Sequence, residues 1–273
     1  WHGTEAVIYD TQTITAIDPA AKRVTTDAGV YDADILVVAL GADYDVNATP
    51  GLAEGGHEFY SVAGAARLAS ALPAFEGGPV VVGVVSEPFK CPPAPCEMAM
   101  LLAEYLEGRG LAASSPITVV SPWDIPIPAT RPGSDAILAR FAETGITFLP
   151  RDGIASLDPG RGVVMLRSGG ELPYALFLGV PKHVVPPVVT ASGLAENGWI
   201  PVERTNLATR FAGVYAVGDV TSAPVPKAGI FSESAARAVA GDILHRLGLG
   251  PEPVPYDGAG SCFIEFGEHR VGR

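Results

Sequence analysis

Two cysteines and a glutamate stand where many proteins place a phosphate-binding loop. Cys91, Cys96 and Glu97 lie in "SEPFKCPPAPCEMAM", between "GPVVVGVVS", which reads as a strand, and a run that reads as a helix. A thiolate is the reacting form of cysteine in exchange and electron transfer, and the adjacent Lys90 would favour it. Glu97 would accept a proton if it faced the sulfur. The junction suits a nucleotide poorly. Proline rings would occupy the space of a pyrophosphate, proline has no N–H to hold one, and Gly83 is the one glycine retained. A third thiol, Cys262, lies in "GSCFIEFG". Three cysteines are too few for a secreted disulfide framework, and a small odd number favours buried or redox-active thiols. The plainer readings are a loop thiol without a role at Cys91 and a buried strand residue at Cys262. Cys91 and Cys96 also form C-x4-C, so a disulfide between them stays open beside packing of Cys96 at the helix start.

A second chemical signal is "GVYAVGDV". A buried strand ending in Gly218-Asp219 puts a carboxylate at the carboxyl end of a parallel sheet, where crevices bind ligands. Asp219 can accept hydrogen bonds from ligand hydroxyls, and Gly218 lets backbone approach closely. The pair alone also reads as a strand followed by an Asp turn. The next segment, "PKAGIFSESAARAVA", starts a helix at Lys227, Ala228 and Gly229 with small residues, so a flat ring could rest on a helix start whose dipole favours negative charge. Lys182 and His183 in "GVPKHVVPP" follow a buried strand. His183 reads as a proton relay, a ligand contact or a loop histidine without a role. Trp123 would line a pocket or cover a sheet edge. His57, His245 and His269 show no metal-ligand spacing with the cysteines, so no metal is expected.

The elements that must position these residues alternate. Residues 5–45 read as β, with "EAVIYD", "QTITAIDP" and "KRVTTDAG" alternating in polarity and "DAGVYD" as a turn. "ADILVVALGA" reads as a fully buried parallel strand ending at Gly41. "DVNATPGLAEGG" reads as a loop and "SVAGAARLASALPAF" as a helix. After the strand "PVVVGVV" comes a helix over 96–109 with Met98, Leu101, Leu102, Tyr105 and Leu106 on its apolar face. "SPITVVSP" predicts a strand, "SDAILARFAETG" a helix, "ITFLPR" a strand, and the stretch to "LFLGV" a meander and a buried strand. "GVYAVGD" is a short buried strand, "KAGIFSESAARAVAGDILHRLG" a helix, and the tail a strand with Cys262 near its start. The alternation implies a doubly wound α/β sheet with a Rossmann-like core.

Bulk composition sets outer limits. At 48% hydrophobic and 18% charged, 273 residues suffice for one large or two medium domains. A net charge of -12 argues against a nucleic-acid partner and against adsorption to anionic lipid through charge. No run of eighteen apolar residues and no signal peptide is present. The chain opens on Trp1 without an initiator Met, inside what reads as a strand, which suggests a segment of a longer protein.

Taken in order, "YDADILVVALGADYD", "GVYAVGDVTS" and "PKAGIFSESAARAVA" resemble the two-dinucleotide-binding-domain flavoproteins of the pyridine nucleotide-disulfide oxidoreductase superfamily. The branch most similar is that of sulfide:quinone oxidoreductases and the flavoprotein subunit of flavocytochrome c sulfide dehydrogenases. The resemblance covers nearly the whole chain. It implies an α/β fold with two Rossmann-like domains of three layers and mostly parallel sheets, the first incomplete. It divides the chain into a first FAD-binding segment at 1–50, a degenerate NAD-type domain at 51–180, an FAD-binding return segment at 181–248, and the start of a C-terminal domain at 249–273. It implies that Gly218 and Asp219 meet the ribityl chain of FAD, that Lys227, Ala228 and Gly229 lie beside the isoalloxazine, and that Ala39 and Gly41 contact the cofactor. The family's opening G-x-G-x-x-G is not in this sequence, so a βαβ unit of about 30 residues is expected upstream.

In the sulfide-oxidising branch the matching loop reads Cys-x5-Glu, here Cys91 and Glu97, and a second redox cysteine lies in the tail, here Cys262. The resemblance thus implies that sulfide attacks a Cys91–Cys262 disulfide and that two electrons pass to FAD and on to a quinone or cytochrome. The related disulfide reductases carry their C-x4-C after the first FAD motif, a different place from Cys91 and Cys96. Two other functions stay open: a flavin-dependent NAD(P)H dehydrogenase of the type II NADH:quinone kind with a degenerate second nucleotide site, and a non-catalytic flavin-fold binding protein. A cytoplasmic or peripheral-membrane setting is favoured, with a small-molecule electron donor, and a homodimer is left open.

Overall fold

A computed structural model describes residues 7–272 of the chain. They divide into two compact units. The first contains the described residues through Ala42 with Val185–Val225 and Phe231–Gly258, and the second contains Asp43–Val184, Pro226–Ile230 and the described residues from Ala259 onward.

In the first unit, strands Ile14–Asp18, Arg23–Thr26 and Val30–Asp32 form an antiparallel meander. The run "EAVIYD" does not join it. Residues 5 and 6 lie outside the described ones, and 7–10 form no strand, with Ile8 and Tyr9 each 88% exposed. Leu36–Val38 pairs in parallel with Val214–Ala216. "ADILVVALGA" was expected to be buried on both faces, yet this strand has Val38 buried and Val37 exposed. Side chains alternate across a strand, and the apolar cluster of Ile17, Val185, Val189, Ile200, Val214, Ala216 and Val220 covers the Val38 side. Tyr215 packs oppositely with Leu207, Val217, Ala235 and Val239, the last two from the helix Gly229–Arg246.

The second unit is built on a five-stranded, all-parallel sheet. Its order is His57–Glu58, Leu176–Val180, Val80–Val84, Ile117–Val120 and Thr147–Leu149. The two central strands are apolar at every position and buried at every position, as parallel strands covered on both faces require. One face is covered by the helices Ala94–Gly108 and Arg131–Thr144. The other is covered by the meander Ile154–Asp158, Val163–Leu166 and Glu171–Pro173, together with Leu52. Leu52 belongs to a short helix, Leu52–Gly55, inside what reads in the sequence as a loop. The α/β class with a Rossmann-like parallel sheet is as expected.

Two local expectations are corrected. In the helix Ala94–Gly108 the buried residues are Pro95, Cys96, Ala99, Met100, Leu102 and Leu106, while Leu101 is 37% exposed. At 100° per residue, Leu101 falls away from the stripe that Cys96, Ala99 and Met100 set. The tail is not one strand but a hairpin of Ile264–Glu265 with Val271–Gly272. Gly267, Glu268 and His269 all have left-handed φ values, which reverse the chain, and Cys262 precedes the first strand.

Candidate functional site

The carboxyl ends of the central strands Val80–Val84 and Leu176–Val180 open onto the crevice where a doubly wound sheet binds ligands. Phe89 is 3% exposed and packs with Val84 and Val180, and its ring stacks on Trp123, 4.8 Å between centroids at 23°. The Arg167 guanidinium donates to the Val85 carbonyl, and Trp123 Nε1 donates to Glu87. Gly83, the retained glycine, faces packing rather than open space. A Cβ there would meet Ile154 at 2.6 Å and Phe177 at 2.9 Å.

Beyond Phe89 the chain crosses to the segment Pro226–Ile230. Lys90 bridges Lys227 in parallel, and the Cys91 N–H donates to the Lys227 carbonyl at 2.7 Å. Cys91 has φ +51, a left-handed conformation that a residue with a side chain rarely adopts, and it is half-buried. Its carbonyl accepts from Ala94 N–H at 2.8 Å as the helix Ala94–Gly108 begins. Cys96 sits in that first turn at 2% exposure, and burial pushes its thiol up to about 12, so it stays protonated. Glu97 is half-buried. Burial raises its pKa above the ordinary carboxyl value, although Oε1 accepts the Glu265 N–H at 2.9 Å. Cys262 is half-buried, and its thiol is raised by burial and then by the Glu97 charge.

The hairpin that carries Cys262 is tied to the helices beneath it. Besides the Glu97 contact, Glu104 Oε2 accepts the Glu268 N–H at 2.9 Å, and the buried Arg140 donates to the Phe266 carbonyl at 3.0 Å. Arg140 also pairs with Glu143 and Glu268.

A further cluster was missed in part by sequence reasoning. His183 is not in a loop. It is the middle residue of strand Lys182–Val184, which pairs antiparallel with Asp43–Asp45, and it is 4% exposed. Its Nδ1 lies 2.8 Å from the Pro181 carbonyl, which fixes the N–H there and turns Nε2 into an acceptor with no partner. Burial, then the Lys90 and Lys227 charges, lower its pKa to about 4. Tyr44 and Tyr60 meet the imidazole edge-on at 5.0 and 5.1 Å. The Lys90 ammonium lies 4.4 Å above the Tyr44 ring, and Tyr44 donates to the Tyr60 carbonyl at 3.0 Å. Tyr60 itself is anchored by the buried Glu58, which accepts the N–H groups of Tyr60 and Ser61 at 2.8 and 2.9 Å. Neither tyrosine carries a sequence signal, because "DYD" and "FYS" belong to no periodic run.

The remaining predicted positions are placed as follows. Ala39 and Gly41 follow the strand Leu36–Val38, and Gly41 has φ +67 with open space where a Cβ would be. Gly218 follows the strand Val214–Ala216 at φ +76, with Ser232 Oγ 3.0 Å from where its Cβ would lie. Asp219 is the middle residue of the 3-10 turn Gly218–Val220. Ala39, Gly41, Gly218 and Asp219 belong to the first unit. Lys227, Ala228, Gly229, Cys91, Glu97 and Cys262 belong to the second. Lys227 is 8% exposed, and Gly229 opens the helix Gly229–Arg246 with nothing near its missing Cβ.

Residues 3–240 match the family model described as pyridine nucleotide-disulphide oxidoreductase. A sulfide-quinone reductase of Aquifex aeolicus (strain VF5) is 26% identical over 276 residues, 93% of this chain and 64% of that protein. An NADH dehydrogenase-like protein of Mycobacterium tuberculosis (strain ATCC 25618 / H37Rv) is 31% identical over 241 residues, 81% of this chain and 57% of that protein. The chain thus spans less than two thirds of the length of these curated relatives. Among solved structures, the sulfide:quinone oxidoreductase from Aquifex aeolicus superposes with a TM-score of 0.78 at 24% identity, covering 94% of this chain and 65% of that one. The NDH2 of Plasmodium falciparum in complex with NADH superposes at 0.58 and 14% identity, covering 82% of this chain and 52% of that one.

Proposed function

The chain belongs to the pyridine nucleotide-disulphide oxidoreductase family, and from that premise we propose that the protein is an FAD-dependent oxidoreductase taking electrons from sulfide or a related sulfur donor through cysteine. The observation that carries this reading is Phe89, packed on Val84 and Val180 at the ends of the two central strands and stacked on Trp123, where it would obstruct a nicotinamide nucleotide; the same loop presents Cys91 two residues later. The donor would therefore be met by sulfur.

The residues fit a flavin dinucleotide. Gly41 and Gly229 leave open backbone where a Cβ would intrude, and Asp219 offers a carboxylate to ribityl hydroxyls just past a strand's carboxyl end. Asp219 with Gly218, Ala39 and Gly41 would hold the ribityl and dinucleotide parts, and Lys227, Ala228 and Gly229 would lie beside the ring. When bound, FAD would supply the acceptor for an electron pair. The start of the helix Gly229–Arg246 would favour negative charge in its neighbourhood.

In the proposed reaction, hydrosulfide adds to one sulfur of a Cys91–Cys262 disulfide. The S–S bond breaks, one cysteine keeps the added sulfur as a persulfide, and the other leaves as a thiolate. Glu97 takes up the proton, for which its raised pKa suits it. Lys90, next to Cys91 in sequence, would favour the thiolate by proximity. Release of the added sulfur at the zero-valent level and re-formation of the Cys91–Cys262 disulfide would free two electrons, for which bound FAD would be the acceptor and a quinone or a cytochrome the final one. No helix among the described residues is long and apolar enough to cross a membrane.

The test uses the full-length holoprotein, mixed anaerobically with sulfide or with NADH in a stopped-flow instrument. Flavin bleaching by sulfide is expected, and its loss in Cys91→Ser and Cys262→Ser. Rapid bleaching by NADH with none by sulfide would reject the proposal in favour of a nicotinamide donor.

A further inference from the structure

A short two-stranded ribbon does not hold its own place, because an isolated hairpin is marginal in water. The hairpin of Ile264–Glu265 with Val271–Gly272 carries Cys262 just ahead of its first strand. Ile264 is buried with residues of the helices Ala94–Gly108 and Arg131–Thr144, among them Met100, Ile137 and Phe141. Apolar burial keeps the hairpin on those helices, but it is not directional. Where the ribbon stands along them is set by polar contacts.

Three side chains supply those contacts, and each grips hairpin main chain. Glu97 Oε1 accepts the Glu265 N–H at 2.9 Å, Arg140 Nε donates to the Phe266 carbonyl at 3.0 Å, and Glu104 Oε2 accepts the Glu268 N–H at 2.9 Å. Glu97 and Glu104 stand about two turns apart on one face of the helix Ala94–Gly108, and Arg140 reaches over from Arg131–Thr144. The Arg140 side chain is 9% exposed, and its Nη2 also binds Glu268 Oε1 at 3.0 Å. Charge-assisted bonds are the strong ones, and burial spares them screening. The turn is pressed close to the same groups: Gly267 has φ +76, and a Cβ there would lie 3.0 Å from Glu104 Oε2. At the start of the same helix the Cys91 carbonyl accepts the Ala94 N–H at 2.8 Å. One helix therefore holds the segments of both cysteines.

We propose that Arg140 and Glu104 are positioning residues for Cys262, a clamp that keeps it within reach of Cys91 while their disulfide opens and re-forms. The assignment rests on the reading of Cys91 and Cys262 as the redox pair. Both residues act through the hairpin main chain, so they fix the path of the chain whatever side chains it carries.

The test is the equilibrium between the Cys91–Cys262 disulfide and the two thiols in the full-length holoprotein, poised anaerobically with reduced and oxidised glutathione. Mass spectrometry reads the cross-linked peptide against the two alkylated ones. Protein dithiol and oxidised glutathione give protein disulfide and two glutathione thiols, so the constant reports how closely the fold presents one cysteine to the other. Glu104→Ala should lower it about tenfold, the worth of one hydrogen bond to a charged group. Glu104→Gln keeps an acceptor for the Glu268 N–H and should restore most of it. Arg140→Gln should lower it at least as far as Glu104→Ala. Glu104 is exposed, so its variants keep the test open should Arg140→Gln fail to fold. Equal constants in the wild type and Glu104→Ala would overturn the assignment whatever the change in Tm, because a contact that serves stability alone does not move a thiol–disulfide constant. Absence of the cross-linked peptide from the wild type would instead remove the Cys91–Cys262 pair, and the assignment with it.

Discussion

Replacing Phe89 by Ala should unfasten the plug in the sheet's crevice. Phe89 is 3% exposed, bounded by Val84 and Val180 at the strand ends, and stacked at 4.8 Å on Trp123. Truncating a buried Phe removes the transfer free energy of the ring and leaves a cavity, a loss of about 3–5 kcal/mol. Of this, the stack on Trp123 accounts for about 0.5–1.5 kcal/mol. The walls are a sheet end and a guanidinium held on the Val85 carbonyl, which have little room to collapse, so the upper half of the range is expected. For a protein of this size, that corresponds to a fall in Tm on the order of 10 °C. The measurement is urea denaturation of the full-length holoprotein and its variant at one fixed FAD concentration, because ligand binding shifts apparent stability. An unchanged slope with a lower midpoint is the expected pattern. A loss under about 1 kcal/mol, the range of a surface substitution, would mean that Phe89 does not fill the crevice and would withdraw the main structural argument against a nicotinamide donor.

Three further outcomes are expected. His183 titrates near 4 when folded and near 6.5 when unfolded, so the unfolded chain takes up the proton first; stability is full above pH 6.5 and falls by about 2–3 kcal/mol as pH drops to 4. In His183→Gln that acid limb should shrink in denaturation curves taken at pH 7 and 4.5, and identical pH dependence would refute it. Glu97→Gln keeps an acceptor for the Glu265 N–H while removing the charge that raises Cys262, so Cys262 should alkylate faster at pH 8; a slower rate would contradict the assigned proximity. Gly64→Ala would place a Cβ 1.8 Å from Glu58 Oε1 and 2.4 Å from its carbonyl oxygen. Overpacking of this kind costs about 1–3 kcal/mol, so the variant should lose thermal stability, and an unchanged Tm would refute it.

Much of the fold was legible because it rests on local pattern. "VVVGV" and "LFLGV" are apolar throughout, and only a parallel strand covered on both faces accommodates that over five residues. "GVYAVGD" forms a strand as expected, over Val214–Ala216, ending two residues before Gly218, which takes a left-handed φ. The misreadings share a cause. Leu101 and Val37 are apolar and exposed, and the tail bends into a hairpin; which side of a helix or strand is covered depends on partners distant in sequence.

By itself the sequence determined the parallel sheet, the strand–Gly–Asp turn, and a junction with prolines and a lone glycine, since periodicity and backbone freedom are properties of adjacent residues. Only the tertiary structure decided that Phe89 closes the crevice, that Cys91 is held against residue 227, that Glu97 binds the hairpin carrying Cys262, and that Tyr44, Tyr60 and His183 form one buried cluster. These contacts join residues tens to more than a hundred positions apart. What brings them together is the burial of whole elements against each other, which no short stretch of the chain encodes.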